Sequence, residues 1–150
     1  MEVIPLTAEQ GVAVDALVEQ HRIEAVTADV QRASRFLARA VAASQSRITH
    51  PEIAYNVSYD ACHDVGEAVL AAYGFRTLNG PGQHIALGQF LTAVFDAPPG
   101  RNAARRFDQL RRARNQNRYE ATPVGRAQAD LAASTARDLI AAAKNRGITP

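Results

Sequence analysis

Apolar residues recur along this chain at steps of three and four, the spacing that lines one face of an α-helix. Val14, Leu17 and Val18 mark a first helix reaching about His21. It opens on Thr7-Ala8-Glu9-Gln10, a capping-box pattern in which the Thr hydroxyl and the Gln amide satisfy each other's backbone donors. Val26, Val30, Ala33, Leu37 and Val41 form a second series to about Ser46, either continuous with the first or broken from it near Thr27. His50-Pro51 begins a third helix, with Pro at the first position, where no amide donor is needed. Ala54, Ser58, Ala61, Val65, Val69 and Ala72 form its apolar stripe, which stops near Tyr73-Gly74. After the loop Thr77-Leu78-Asn79-Gly80-Pro81-Gly82, a short helix carries Leu87, Phe90, Leu91 and Val94, and Pro98-Pro99-Gly100 ends it. Arg101 to Glu120 reads as one helix. Thr122-Pro123 then caps a last one that packs through Leu131, Thr135, Leu139 and Ala142 and ends at Gly147. No stretch alternates Val, Ile and Thr, and Asn79-Gly80 leads into Pro81 and a helical pattern, not a strand. The expected fold is therefore all-α: an up-and-down bundle of four to five main helices with an extra N-terminal helix, in one domain over residues 1–150.

The Arg101–Glu120 helix changes this picture. Its apolar stripe starts at Ala103 and runs through Phe107 and Leu110, then turns into Arg114 and Arg118, with Arg111 beside them. An inward guanidinium needs an acid, a carbonyl or a ligand, because burying it unpaired is costly. The same twenty residues hold seven arginines against Asp108 and Glu120, while the rest of the chain holds ten basic and thirteen acidic groups. The formal net charge of +2 thus hides one basic helix on a slightly acidic body. Such a concentration is the footprint of a phosphate-bearing partner, RNA or nucleotide; the plainer alternative is a solvated helix with structural ion pairs.

Composition adds limits. Lys144 is the only lysine, which codon usage alone can explain. Cys62 is solitary, so no intrachain disulfide is available and a reducing, cytoplasmic setting is expected. MEVIPLTAEQ has no apolar signal-like core, and nothing approaches 18 consecutive apolar residues, so no membrane association is expected. The Gly-rich loop has neither the GxxxxGK[ST] pattern nor a preceding strand, which excludes a P-loop. Asp60-x-x-His63 has metal-ligand spacing, but no second such motif accompanies it, so Asp60, His63 and Glu67 read as a polar face and no metal or other cofactor is expected. His21 reads as a favourable charge at a helix C-terminus.

The order of helices, with Arg114-Asn115 late in the penultimate one, resembles the HEPN superfamily of small helical bundles. Many of these are RNases or inactive relatives, often paired with nucleotidyltransferase antitoxins. The family motif is Arg, commonly a polar residue, and then His four to six residues after the Arg. Arg114 and Asn115 match its first half, whereas the slot five residues after Arg114 holds Tyr119. Gly80-Pro81-Gly82-Gln83-His84 is similar to the loop that leads into the preceding helix in some members. The likeness covers about Val26 to Gly147 in architecture, and its specific part is Arg114 to Tyr119.

The resemblance implies a homodimeric, RNA-directed protein: a metal-independent endoribonuclease or the toxin half of a toxin–antitoxin or defence pair. In it Arg114 would stabilise the phosphorane, Asn115 would orient Arg114 or the phosphate, and Arg111 and Arg118 would hold the RNA backbone. A phenol, with a reference pKa of about 10, is a poor general base near pH 7, so Tyr119 is a weak substitute for the missing imidazole. In some family members a tyrosine beside the motif receives a nucleotidyl group, a role Tyr119 would inherit. An up-and-down bundle would make the third and fifth helices parallel and run the His84 helix against them. That would bring His84 to the end of the basic helix as the imidazole, with Tyr73 and Glu67 nearby and Asp64 or Glu67 holding Arg114. The alternatives are a non-catalytic RNA- or nucleotide-binding module and a structural dimerisation domain in which Arg114 only bridges to a carboxylate.

Overall fold

The computed structural model describes residues 1–150. Six helices, α1 (Ala8–Glu19), α2 (Val30–Ser44), α3 (Pro51–Tyr73), α4 (Gln83–Val94), α5 (Gly100–Glu120) and α6 (Arg126–Asn145), are joined by two short strands, β1 (Ile23–Ala25) and β2 (Phe75–Thr77). The fold is mostly helical, at 69% of the residues, and corrects the all-α expectation by the presence of this sheet. No helix is long and apolar enough to cross a membrane.

Helix α3 is the axis of the packing. From Tyr59 to Ala72 its residues are buried except for Asp60, which is exposed, and His63 and Glu67, which are half-buried. Small side chains make this enclosure workable, because alanine lets neighbouring helices approach closely. Helix α2 offers Ala33, Leu37 and Ala40 to the core, and α6 offers Ala132, Ala136, Leu139 and Ala143. At Gly66 even a methyl group is excluded, since a Cβ there would lie 2.7 Å from Leu87 Cγ on α4.

The strands explain the departure from an up-and-down bundle. Gly74 ends α3 in the left-handed region (φ 79°), where a Cβ would crowd the Val26 carbonyl oxygen at 2.8 Å. The chain then turns back as β2, antiparallel to β1, with Ile23 opposite Thr77 and Ala25 opposite Phe75. Val26 N–H donates to Gly74 O and Asp29 N–H to Ala71 O, which closes the ribbon against the end of α3. Because β2 carries the chain back along α3, α4 starts beside the N-terminal half of α3 and runs in the same sense. His84 lies against Tyr59, and Leu87 against Gly66. Helix α5 runs the other way, with Phe107 against Tyr59 and the Leu110 carbonyl accepting from Tyr55 Oη at 2.7 Å. The expected parallel pairing of α3 with α5 is thus reversed.

The helix starts follow their capping chemistry. Thr7 and Gln10 form the expected capping box on α1, and the Gln10 amide also donates to the Val94 carbonyl at 2.9 Å, pinning α1 to the end of α4. The first two helices do not join: His21, at φ 56°, and β1 separate them, and Asp29 caps α2 by accepting from Arg32 N–H. Helix α6 begins later than Thr122-Pro123 suggests. Ala121 takes a left-handed conformation (φ 50°), and the helix is capped at Gly125, whose N–H donates to Gln128 Oε1.

Candidate phosphate-binding cleft between α3, α4 and α5

Tyr55 and Tyr59 stand one turn apart on α3, and both are buried. Tyr55 anchors α5 through its bond to the Leu110 carbonyl. Tyr59 is the platform of the site. Its ring stacks on Phe107 (centroids 5.4 Å apart) and on His84 (5.9 Å), and the Arg114 guanidinium carbon sits 4.6 Å from its centroid. Its hydroxyl is 2.8 Å from His84 Nδ1. Burial pushes the Tyr59 phenol up to about 12, against the opposing pull of Arg114 and Arg111, so it keeps its proton at any ordinary pH. The bond holds the imidazole in place in either tautomer and leaves Nε2 as the nitrogen free to meet a ligand.

His84 is pushed below the ordinary histidine range, first by burial and then by the neighbouring His63 and Arg114, with Asp60 pulling the other way. Near neutral pH it is therefore an uncharged imidazole, able to accept a proton. The His63 ring lies 4.6 Å from that of His84, tilted by 41°. Its Nε2 is buried without a hydrogen-bond partner, and the nearest carboxylate, on Glu67, is 3.9 Å away.

Arg114 ends the stripe that Phe107 and Leu110 begin. It takes part in none of the six ion pairs of the chain, and its Nε is buried without a hydrogen-bond partner. One turn on, Asn117 Nδ2 is in the same state. Of the two, Arg114 lines an opening, and its unmade donor there is what an acceptor-rich ligand would satisfy. The opening is a cleft of about 370 Å³. Gly80 and Gly82, both at positive φ, shape one wall together with His84, and Arg111, Arg114 and Arg118 form the other. No acidic side chain lines it. Arg111 is steadied by Asp108, 3.0 Å from its Nη2.

The residues expected to support Arg114 are elsewhere. Asp64 is forked by Arg39 of α2, at 2.6 and 2.8 Å, and Glu67 faces His63, so neither carboxylate holds Arg114. Tyr73 lies at the far end of α3, donating to the Ile4 carbonyl at 2.6 Å and accepting from Arg146 at 2.9 Å. The physical cause is the shared direction of α3 and α4, which puts the cleft at Tyr59 and not at Tyr73. Asn115 is exposed on the cleft wall, whereas Tyr119 is 97% exposed and lies outside the lining. The structure thus brings together His84, Arg111, Arg114, Asn115 and Arg118, and adds Tyr59 and His63, which the sequence pattern does not single out as site residues. The histidine at position 63 had a detectable signal, the polar face it shares with Asp60 and Glu67. Tyr59 had none beyond its spacing from Tyr55. Nowhere do three His, Cys, Asp or Glu side chains converge as a metal-binding set. Compared with known proteins, the chain matches no protein family, no curated protein and no solved structure.

Proposed function

We propose that this chain is an RNA-directed protein of the HEPN kind, acting as a metal-independent endoribonuclease and serving as the toxin or effector half of a two-component pair. The observation that carries the proposal is the meeting of Arg114 and His84 on the Tyr59 ring, at an acid-free cleft in which Arg114 keeps an unmet donor. In the tautomer whose Nδ1–H donates to the Tyr59 oxygen, His84 Nε2 carries a lone pair. It takes the proton of a ribose 2′-hydroxyl as that oxygen attacks the adjacent phosphorus. Arg114, flanked by Arg111 and Arg118, lies where negative charge grows on the phosphoryl oxygens, and a donor held ready for that charge needs no reorganisation. The bond to the 5′-oxygen breaks and the departing oxygen takes a proton from the imidazolium, leaving a 2′,3′-cyclic phosphate and a 5′-hydroxyl. Family likeness adds the homodimer and the nucleotidyltransferase-type antitoxin, for which the exposed Tyr119 is the acceptor hydroxyl.

A second reading has one observation in its favour: His84 Nδ1 is the only hydrogen-bond partner of the Tyr59 hydroxyl, hence the one acceptor available to its proton. If that phenol donates to Nδ1, His84 presents Nε2–H to the cleft, and the site binds a phosphate without cleaving it. Incubating the protein with end-labelled RNA in excess chelator separates the two. Cleavage yielding cyclic-phosphate ends, reduced about a hundredfold or more in both His84→Ala and Arg114→Ala, is the expected result. Salt-sensitive RNA binding without any cleavage selects the binding module; neither binding nor cleavage refutes both.

A further inference from the structure

A second depression, about 710 Å³, runs on from the cleft between α4 and α5, sharing Ile85 and Arg111 with it. Its floor is low because Gly88 and Ala104, both buried, put no bulk into it. Its rims carry two kinds of group. Arg105 and Arg112 are exposed on α5, and Arg105 belongs to no ion pair. Asp108 is the one acid, and it is already bonded by both Arg111 and Arg112, so the groove keeps an excess of positive charge. Gln109 presents an exposed amide between Arg105 and Arg112 on α5, and Gln89 presents another from α4 across the groove.

We infer that this groove is the track for an extended single strand of RNA whose scissile phosphate sits in the cleft, with Arg105 and Arg112 on the sugar-phosphate backbone and Gln89 and Gln109 on base edges. The inference rests on the proposed RNA-directed reading of the cleft and adds the form of the ligand and the residues that sort it. Two features point to a strand and not to a mononucleotide or a duplex. The arginines from Arg105 to Arg118, which line first the groove and then the cleft, extend over thirteen steps of one helix, about 20 Å at 1.5 Å per residue. That is room for on the order of four nucleotides, the lower end of single-strand site sizes. Primary amides carry both donor and acceptor, so they suit base edges, and only unpaired bases present their full edges to a protein. Arginines on the α5 rim, with one amide among them and one facing them from α4, thus divide the work: charge for the repeating phosphates, hydrogen bonds for the varying bases.

Fluorescence anisotropy with RNA oligomers of two, four and eight nucleotides, in chelator and at several salt concentrations, tests this. Affinity should climb from the dinucleotide to the tetramer and change little beyond. Arg105→Ala and Gln89→Ala, both at exposed positions, should weaken the octamer roughly three- to tenfold and leave the dinucleotide unchanged. Arg105→Ala should also lower the slope of log affinity against log salt by about 0.7, the share of one phosphate contact in a single strand. Equal affinity for all three lengths, or an octamer indifferent to both substitutions, overturns the track while leaving the cleft standing. A duplex bound as tightly as the octamer overturns the single-strand assignment. Failure to bind any RNA at low salt refutes the reading of the cleft itself, and the track with it.

Discussion

Replacing Arg114 by Met tests whether this residue is kept for structure or for a ligand. The substitution retains an unbranched stem against the Tyr59 ring and removes the guanidinium. Two terms oppose each other. Losing the cation–π contact costs about 0.5–2 kcal/mol. Removing a buried donor with no partner recovers about 1–3 kcal/mol of unmet desolvation. The sum lies near zero or slightly on the stabilising side. One turn earlier on the same stripe, Leu110 is 3% exposed, and Leu110→Ala should cost about 2–5 kcal/mol. Urea unfolding followed by circular dichroism resolves the contrast. A change of about 1 kcal/mol moves the midpoint by roughly half a molar at a slope near 2 kcal/mol per molar. We expect the Arg114→Met midpoint to match or exceed wild type while RNA binding is lost. Destabilisation by more than about 2 kcal/mol with RNA binding intact would show that Arg114 serves the fold, and the structural dimerisation reading would then be preferred.

The depressed basicity of His84 makes stability depend on pH in a definite direction: the unfolded chain binds a proton near pH 6.5 that the folded chain resists. Stability from this group is therefore present above pH 6.5 and lost as pH falls below it, and His84→Gln should flatten that part of a thermal-melt series. Gly66→Ala would push a methyl group into the fully buried Leu87, and a loss of about 1–3 kcal/mol is expected in the same unfolding assay. A wild-type midpoint would mean that α3 and α4 are not packed as described. Asp64→Ala removes the carboxylate forked by Arg39, which is largely exposed, so with solvent screening a loss of about 1 kcal/mol is expected. RNA affinity should be unchanged; an effect as large as that of Arg114→Met would put Asp64 back beside Arg114.

Much of the helical skeleton was legible from periodicity alone, because Phe107, Leu110 and their counterparts in α2 and α4 sit in sequence as they sit in space. The inward placement of Arg114 was legible for the same reason: a core stripe ending in arginine is a local pattern. The strands were not, since three residues in each, Ile23–Ala25 and Phe75–Thr77, are too few to display alternation. That omission propagated. Without the backward run of β2, the direction of α4 was assigned wrongly relative to α3, and Tyr73, Glu67 and Asp64 were expected at the cleft in place of Tyr59 and His63. The approach of His84 to the end of α5 survived because α4 and α5 are antiparallel in either arrangement. Pro123 misled about α6 because a proline that suits a first helical turn also suits an extended lead-in, and the left-handed turn at Ala121 leaves no mark in the sequence.

The most direct test of the cleft is nuclear magnetic resonance of the arginine Nε–H groups, with the His84 ring signals, during titration with a short RNA in chelator. Arg114 Nε–H, buried and unpaired in the free protein, should move furthest, with His84 moving in parallel. Arg39, already committed to Asp64 on the other flank of α3, should stay still. If Arg114 and His84 are unmoved while the RNA shifts only Arg32 and Arg35 on α2, the ligand lies on the wrong face of the molecule and the cleft is not its site.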